Sequence, residues 1–489
     1  MSSLPIKTQV LIIGGGPAGS TAAALLARQG HHVTLLEKDK FPRYHIGESL
    51  LPTILPIIDL IGAREKMDQF GFQRKHGAYL EWGKETWALN FGELSGDATY
   101  AYQVTRAEFD EMLINHAAEQ GAFVFQETEV RSLEFEGDRP VRASWIRKSN
   151  NGTPLQGTIE FDFMIDASGR NGLMANHYLH NRKYHQVFQN VGVWGYWKNT
   201  DRLATGREGD IAVGSIPDGW LWGIPLSDGT MSIGAVVHKD SIKAQRGQSL
   251  DQIYEKALQA SPLMQRITKN AELISPVVSE TDYSYASERF CGPGYFLTGD
   301  SACFLDPLLS SGVHLATMSA MMAAASITSI FREEVGEDEA QAFFESSYRQ
   351  AYLRFLVFLS AFYDVGRTKE SYFWEAQRIT QQDVPADHLK FAFLNLVTGV
   401  KDLEDVQTTG THHVIMEEMT KRIDDNLKYR KDKLKLATLD GDELKNARAN
   451  ANFFDSVEGM FTLDAENAVN GLYVQTQPVF GLGRTNISQ

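Results

Sequence analysis

Three groups of residues in this chain have the types and spacings to do chemistry. In Gly14-Gly15-Gly16-Pro17-Ala18-Gly19, with Glu37 downstream, Gly14 makes a tight turn, Gly16 lets a pyrophosphate approach the backbone, and Gly19 lets a helix pack on a strand. The helix N-terminus favours the phosphate charge, and Glu37 is placed to hold ribose hydroxyls. The second group is Asp166 with Gly169, and Gly299 with Asp300: carboxylates in the turns after strands, suited to ribityl hydroxyls. The third is Lys75 in Gly71-Phe72-Gln73-Arg74-Lys75-His76-Gly77, with the alternating rings of Trp220-Leu221-Trp222. An amine gains reactivity when burial lowers its pKa. On its own window, Lys75 also reads as a solvated charge beside Arg74 and His76, and Trp-x-Trp as an ordinary core strand.

The elements around these residues agree with a nucleotide fold. Gln9 to Ile13 is a β-branched run of the kind found in buried parallel strands. Ser20 to Gln29 reads as a helix, and His32 to Glu37 as a second strand, so the glycine loop sits in a βαβ unit. The acidic end of the second strand disfavours a 2′-phosphate. Phe161 to Asp166 and Tyr295 to Thr298 read as further strands. Phe304-Leu305-Asp306-Pro307-Leu308-Leu309-Ser310-Ser311-Gly312 leads into an Ala- and Met-rich helix, whose N-terminus suits a flavin pyrimidine oxygen. FAD is therefore the expected dinucleotide.

With these motifs the chain resembles the flavoprotein monooxygenases built like para-hydroxybenzoate hydroxylase. Val104-Thr105-Arg106-Ala107-Glu108-Phe109-Asp110 is similar to that family's arginine-bearing helix start. Within the superfamily the resemblance narrows to the flavin-dependent halogenases, phenol and pyrrole branch. Its GFxxKxG segment is matched at Lys75, its WxWxIP signature by Trp220, Trp222, Ile224 and Pro225, and its FxxPxxSxG signature by Phe304, Pro307, Ser310 and Gly312. Phe41-Pro42-Arg43 and Gly47-Glu48-Ser49 accompany them.

The resemblance implies that reduced FAD, delivered by a separate flavin reductase, acts with oxygen and a chloride or bromide ion to make hypohalous acid. Lys75 is then the catalytic residue that captures the oxidant and passes an electrophilic halogen to an electron-rich aromatic ring. Gly14, Gly16, Ala18, Gly19, Glu37, Arg43, Ser49, Arg106, Asp166, Gly299, Asp300, Pro307 and Gly312 are the expected cofactor contacts. Backbone N–H groups of Ser310, Ser311 and Gly312 are the expected halide site, and Trp220, Trp222 and Phe304 the expected channel or pocket walls. In this branch the ring is often tethered to an acyl or peptidyl carrier protein, and the basic run Lys428-Tyr429-Arg430-Lys431-Asp432-Lys433-Leu434-Lys435 reads either as its dock or as a solvated helix face. An aromatic hydroxylase, or a halogenase of a free phenol or polyketide enol, is the alternative.

The 489 residues carry a formal charge of −15 and two cysteines, Cys291 and Cys303. That balance disfavours nucleic acid and anionic membranes as partners. The cysteines exclude a disulfide framework and give no metal site. The chain enters a strand at once without a signal-like segment, so a cytoplasmic enzyme is expected, and Val313 to Phe331 reads as a core helix. The expected fold is α/β: a Rossmann-type FAD-binding domain over 1–335, assembled from pieces near 1–76, 103–186 and 286–335. An antiparallel substrate sheet is inserted at about 77–103 and 187–285, and a mainly helical region over 336–489 ends in a partly ordered tail or lid from about Leu439.

Overall fold

The computed structural model describes residues 3–82, 85–91, 100–149, 153–365 and 468–485. The strand Lys7–Ile13 lies between Leu155–Asp166 and Val33–Leu36, all parallel, and the order continues to Tyr295–Leu297 on one side and Phe123–Phe125 on the other. Such strands are covered on both faces, which is why Val10, Leu11, Ile12, Val33 and Leu35 are fully buried. The helix Pro17–Arg28 runs back along the sheet beside Gly312–Phe331. The latter is the one helix among the described residues long and apolar enough to cross a membrane, and its apolar window is mostly buried inside the protein.

Gly14 and Gly19 are obligatory at this junction. Gly14 has φ +106°, and a Cβ on it would stand 2.2 Å from the carbonyl oxygen of Ala167; one on Gly19 would stand 1.9 Å from that of Gly14.

The second sheet has nine strands, running Cys303–Phe304, Val278–Ser287, Arg182–Lys198, Met231–His238, Gly219–Pro225, Ile211–Ile216, Gly77–Trp82 and Glu85–Asn90, with Glu272–Leu273 beside Arg182–Lys198. It is antiparallel except at one joint, where Ile211–Ile216 pairs parallel with Gly77–Trp82, a departure from the wholly antiparallel sheet expected. Hairpins cannot make a parallel pair, but a long crossover can, and the chain between these two strands passes through the parallel sheet.

Alternation divides this sheet into two faces. Val193, Leu221, Ile233 and Ala235 pack under the helices Leu250–Ala260 and Pro262–Ile267, while Trp194, Trp220, Trp222, Val213 and Leu80 join the core shared with the parallel sheet. One row of paired residues crosses that inner face: Trp194, Gly234, Trp222, Val213, Leu80. Gly234 leaves the space that the Trp222 indole fills, since a Cβ there would lie 2.1 Å from the ring.

Beyond the helix Glu337–Val365, the hairpin Leu472–Gln475 and Gly481–Arg484 lies in the stretch expected to be a tail or lid. It docks on the long buried helix: Leu482 N–H donates to Ser329 Oγ at 2.8 Å and Arg332 donates to the Phe480 carbonyl at 2.9 Å. The basic run Lys428 to Lys435 lies outside the described residues.

Gly234→Ala should lower unfolding stability by about 1–3 kcal/mol, because the indole of Trp222 has to leave its rotamer to make room. Chemical denaturation with and without the substitution measures it.

Candidate active site

Lys75 ends a three-residue strand, Gln73–Lys75, that pairs antiparallel with Ala101–Gln103. This ribbon sits close against the loop before Ile211–Ile216: a Cβ on Gly209 would meet the Arg74 carbonyl oxygen at 1.9 Å, and Gln103 Nε2 donates to the Gly209 carbonyl at 3.2 Å. Asp210 Oδ1 accepts the His76 N–H at 3.0 Å, and Asp210 pairs with Arg207 at 3.0 Å. The strand cannot slide without breaking these contacts.

The Lys75 side chain is 2% exposed. Its Nζ donates to Ser49 Oγ at 2.9 Å and to the Leu50 carbonyl at 3.1 Å, and it lies 5.4 Å from the Phe91 ring centre. Among the described residues no carboxylate forms an ion pair with it. Burial pulls its pKa down to about 7, with the charge of Asp210 opposing the fall. The solvated reading of Lys75 is therefore excluded.

Lys75 lines a cavity with Leu51, Ala78, Leu80, Phe91, Ile211, Val213, Leu308, Leu309 and Ser310. The structure thus brings the GFxxKxG lysine and the loop of FxxPxxSxG to one space, from sequence positions more than two hundred residues apart. The loop is held by Asp306, which sequence reasoning passed over. Its carboxylate accepts from Asn190 Nδ2 at 2.9 Å and from the Leu308 N–H at 3.1 Å, while its own N–H donates to Ser284 Oγ at 3.0 Å.

Ser310 has φ +54°, and its N–H donates to the Pro307 carbonyl at 2.9 Å. That amide is engaged, so the expected halide site narrows to Ser311 and Gly312. Ser311 is the N-cap of the helix Gly312–Phe331, and no side chain caps it.

Trp220 and Trp222 lie on the cavity face but one strand away from its wall. Their ring centres are 5.9 Å apart, Trp222 is 6.4 Å from Trp194, and Trp222 Nε1 donates to Ser232 Oγ at 3.2 Å. Trp222 pairs with the wall residue Val213. Phe304 is elsewhere, between Tyr285 and the Arg170 guanidinium, which stands 5.0 Å over its ring.

The residues expected to hold FAD fit it. The helix Pro17–Arg28 starts at Gly16 with no side-chain cap, leaving its first-turn amides for phosphate oxygens. Arg43 overlies this point, its Nη2 being 3.4 Å from where a Gly16 Cβ would stand, and Ala18 is buried in the first turn.

Glu37 accepts the Gly15 N–H at 2.6 Å and the Asp39 N–H at 2.7 Å, shaping the loop and keeping further lone pairs for a ribose. Asp166 accepts from the Ser168 and Met174 amides at 3.0 and 2.8 Å, so it ties the strand end to the next turn. Asp300 follows Gly299, whose N–H donates to Ser319 Oγ at 2.9 Å; burial pushes the Asp300 carboxyl up to about 6.

Arg106 grips Asp110 through both carboxylate oxygens at 2.8 and 2.9 Å and donates to the Ile46 carbonyl at 2.8 Å. It clamps the loop that carries Glu48 and Ser49. Glu48 accepts from Tyr196 OH at 2.6 Å, and burial raises its pKa. The described residues contain no group of three or more His, Cys, Asp or Glu able to hold a metal, and both cysteines are buried and free.

The chain is similar to known proteins. The family model described as tryptophan halogenase matches residues 9–99 and 93–404. A tryptophan 2-halogenase from Chondromyces crocatus is 46% identical, over 99% of this chain and 96% of its own. A flavin-dependent halogenase from Armillaria mellea is 40% identical over 76% of this chain and 77% of its own. Among solved structures, the myxobacterial chondrochloren halogenase, described as a variant of FAD-dependent halogenases, superposes with a TM-score of 0.72 at 36% identity, covering 82% of this chain and 92% of that one.

The lysine pKa makes a stability prediction. Lys75 folds with a pKa of about 7 against roughly 10.4 unfolded, so between these values the unfolded state binds more protons. Wild-type stability relative to Lys75→Met should be flat below pH 6 and rise with pH above about 7, by up to roughly 1.4 kcal/mol per unit. Urea denaturation of both apoproteins from pH 6 to 9 tests this; a pH-independent difference would mean that the amine is charged or solvated throughout.

Proposed function

The chain belongs to the tryptophan-halogenase family of flavin-dependent halogenases, and from that premise we propose that Lys75 carries the halogen from the flavin side of the cavity to a free, electron-rich aromatic ring, of which an indole is the first candidate. The enzyme is an FADH2-dependent oxidoreductase. Bound reduced FAD supplies the two electrons that, with dioxygen and halide, give hypohalous acid. One dinucleotide loop and no second one among the described residues support delivery of reduced flavin by a separate reductase.

The observation that carries the reading is the buried amine facing the same cavity as the Ser310 loop. With burial pulling its pKa down to about 7, Lys75 has a substantial neutral fraction at neutral pH. The neutral nitrogen attacks the halogen of hypohalous acid: an N–X bond forms, the O–X bond breaks, and the departing hydroxide takes an amine proton to leave as water. The ring then attacks the halogen, the N–X electrons return to nitrogen, and the ring proton ends on the amine. This sequence regenerates the lysine without a second base, and Glu48, which accepts from Tyr196 OH, is not among the described lining residues. Ser311 and Gly312, at the uncapped helix start, would receive the halide.

The cavity walls are Leu51, Leu80, Phe91, Ile211, Val213, Leu308 and Leu309, with Lys75 the one ionisable group among the described residues. An apolar lining of this kind favours an uncharged species such as hypohalous acid. The relative matched across nearly the whole chain is named a tryptophan halogenase, which favours an indole over the phenol or pyrrole expected from sequence. A carrier-tethered substrate has no support in these relatives, and the basic run offered as its dock lies outside the described residues. The hydroxylase alternative falls with the family assignment.

Incubation with FAD, NADH, a flavin reductase and chloride or bromide should halogenate free tryptophan or a simple indole, read by product mass. Halogenation confined to carrier-bound phenolic or pyrrolic acids would reverse the substrate reading. Lys75→Ala should lose halogenation by about three orders of magnitude or more, with FAD affinity and reduced-flavin oxidation unchanged. Lys75→Arg should fail as well, since a guanidinium has no lone pair at neutral pH.

A further inference from the structure

We propose that Ser49 is a positioning residue for Lys75, its hydroxyl acting together with the Leu50 carbonyl to aim the amine lone pair into the cavity. The inference rests on the reading of Lys75 as the halogen carrier and extends it to a residue expected, from sequence, to contact the flavin.

Valence sets the direction of the electron pair. A neutral amine has two N–H bonds and one lone pair. Lys75 Nζ has two acceptors, Ser49 Oγ at 2.9 Å and the Leu50 carbonyl at 3.1 Å, and it also lines the cavity. When both N–H bonds are directed at those acceptors, the third tetrahedral direction is fixed, and that direction belongs to the nucleophilic electron pair. With the hydroxyl removed, one acceptor remains, and an N–H held by the Leu50 carbonyl leaves two staggered positions for the lone pair, so it is misdirected about half of the time.

Ser49 is placed for this by the backbone. It forms an antiparallel bridge with Gln103, and the Leu50 N–H donates to the Tyr102 carbonyl at 3.0 Å. The same strand, Ala101–Gln103, pairs on its other side with Gln73–Lys75. Lys75 therefore reaches across one strand to acceptors locked to that strand. The loop is further fixed by the Val104 N–H to the Glu48 carbonyl at 2.8 Å and by Arg106 donating to the carbonyls of Ile46 and Gly47 at 2.8 and 3.3 Å.

Among the described residues, the charged and titratable groups around the amine are few. Asp210 and its partner Arg207 lie on the loop before Ile211–Ile216, His76 and Arg74 flank Lys75 in sequence, and Glu48 precedes Ser49 on the loop it reaches. Phe91 contributes only its ring. Of these, Asp210 favours the ammonium form, and Ser49 Oγ, as an acceptor, does so too. Loss of the Ser49 hydroxyl should therefore lower the lysine pKa further while scrambling its orientation, so the pH limb and the maximal rate respond in a pattern that a loss of packing alone does not give.

Single-turnover halogenation, started by mixing oxygen with the FADH2-loaded enzyme, halide and tryptophan or the indole accepted in its place, separates the outcomes. Ser49→Ala should reduce the maximal rate about two- to threefold, leave the half-saturating concentration of the aromatic and the Kd for FAD unchanged, and move the acid limb, expected near pH 7 in the wild type, to lower pH. Ser49→Thr, which restores the hydroxyl, should recover most of the rate. Adding Ser49→Ala to Lys75→Ala should change nothing further. A loss of rate that tracks a loss of FAD affinity would make Ser49 a flavin contact and overturn the proposal, as would an unshifted limb or failure of Ser49→Thr to rescue. Halogenation retained in Lys75→Ala would instead remove the carrier role of the lysine, and the Ser49 proposal with it.

Discussion

Placing an amine in a protein interior costs several kcal/mol when it is charged and has no ion-pair partner, and the neighbourhood of Lys75 is organised around that cost. Among the described residues no carboxylate touches the nitrogen. It has a hydroxyl and a carbonyl from consecutive residues, Ser49 and Leu50, and a carboxylate, Asp210, that acts on it only through space because its oxygens are engaged by His76 N–H and Arg207. A contacting carboxylate would have kept the ammonium protonated and unreactive at neutral pH. Two neutral acceptors and a distant charge leave it poised between its two forms.

The two sheets meet to make this possible. The parallel sheet ends in the glycine loop and the turns at Asp166 and Gly299, which suit a dinucleotide, and the helix beginning at Gly312 brings its N-terminus to the edge of the cavity. The nine-stranded sheet supplies the opposite wall. Lys75 stands on the short ribbon between them, and the close approaches at Gly209 and Gly234 show how little slack separates ribbon, wall and tryptophans. The single parallel joint between Ile211–Ile216 and Gly77–Trp82 matters here, because it sets both strands running away from the ribbon side by side, with Ala78, Leu80, Ile211 and Val213 facing the cavity together.

Much of this was legible in the sequence, and for physical reasons. Gly14 and Gly19 sit where no side chain fits, so the loop declares itself. Lys75 and Ser310 belong to short motifs whose spacing survives in any one sequence. Other contributors left no such mark. Asp210 and Asp306 act through tertiary contacts to His76 and Asn190, partners that no local periodicity connects, and Ser49, expected from its motif as a flavin contact, bonds to Lys75 instead. The parallel strand joint depends on a crossover through another sheet, and the hairpin at Leu472–Arg484 has weak patterning because it owes its place to Ser329 and Arg332 on a distant helix. The tryptophans were correctly placed on one face, yet alternation alone could not tell the cavity wall from the row behind it.

The central claim is that the halogen passes through the Lys75 nitrogen. It is tested most directly by a single turnover of the FADH2-loaded enzyme with oxygen and bromide in the absence of any aromatic substrate, followed by rapid quench and mass analysis of the peptide containing Lys75. The account predicts one bromine in place of one hydrogen on that lysine, disappearing when tryptophan or the indole that the enzyme accepts is added before the quench. An unmodified Lys75 peptide, with all the oxidant recovered by a scavenger in solution, would contradict it.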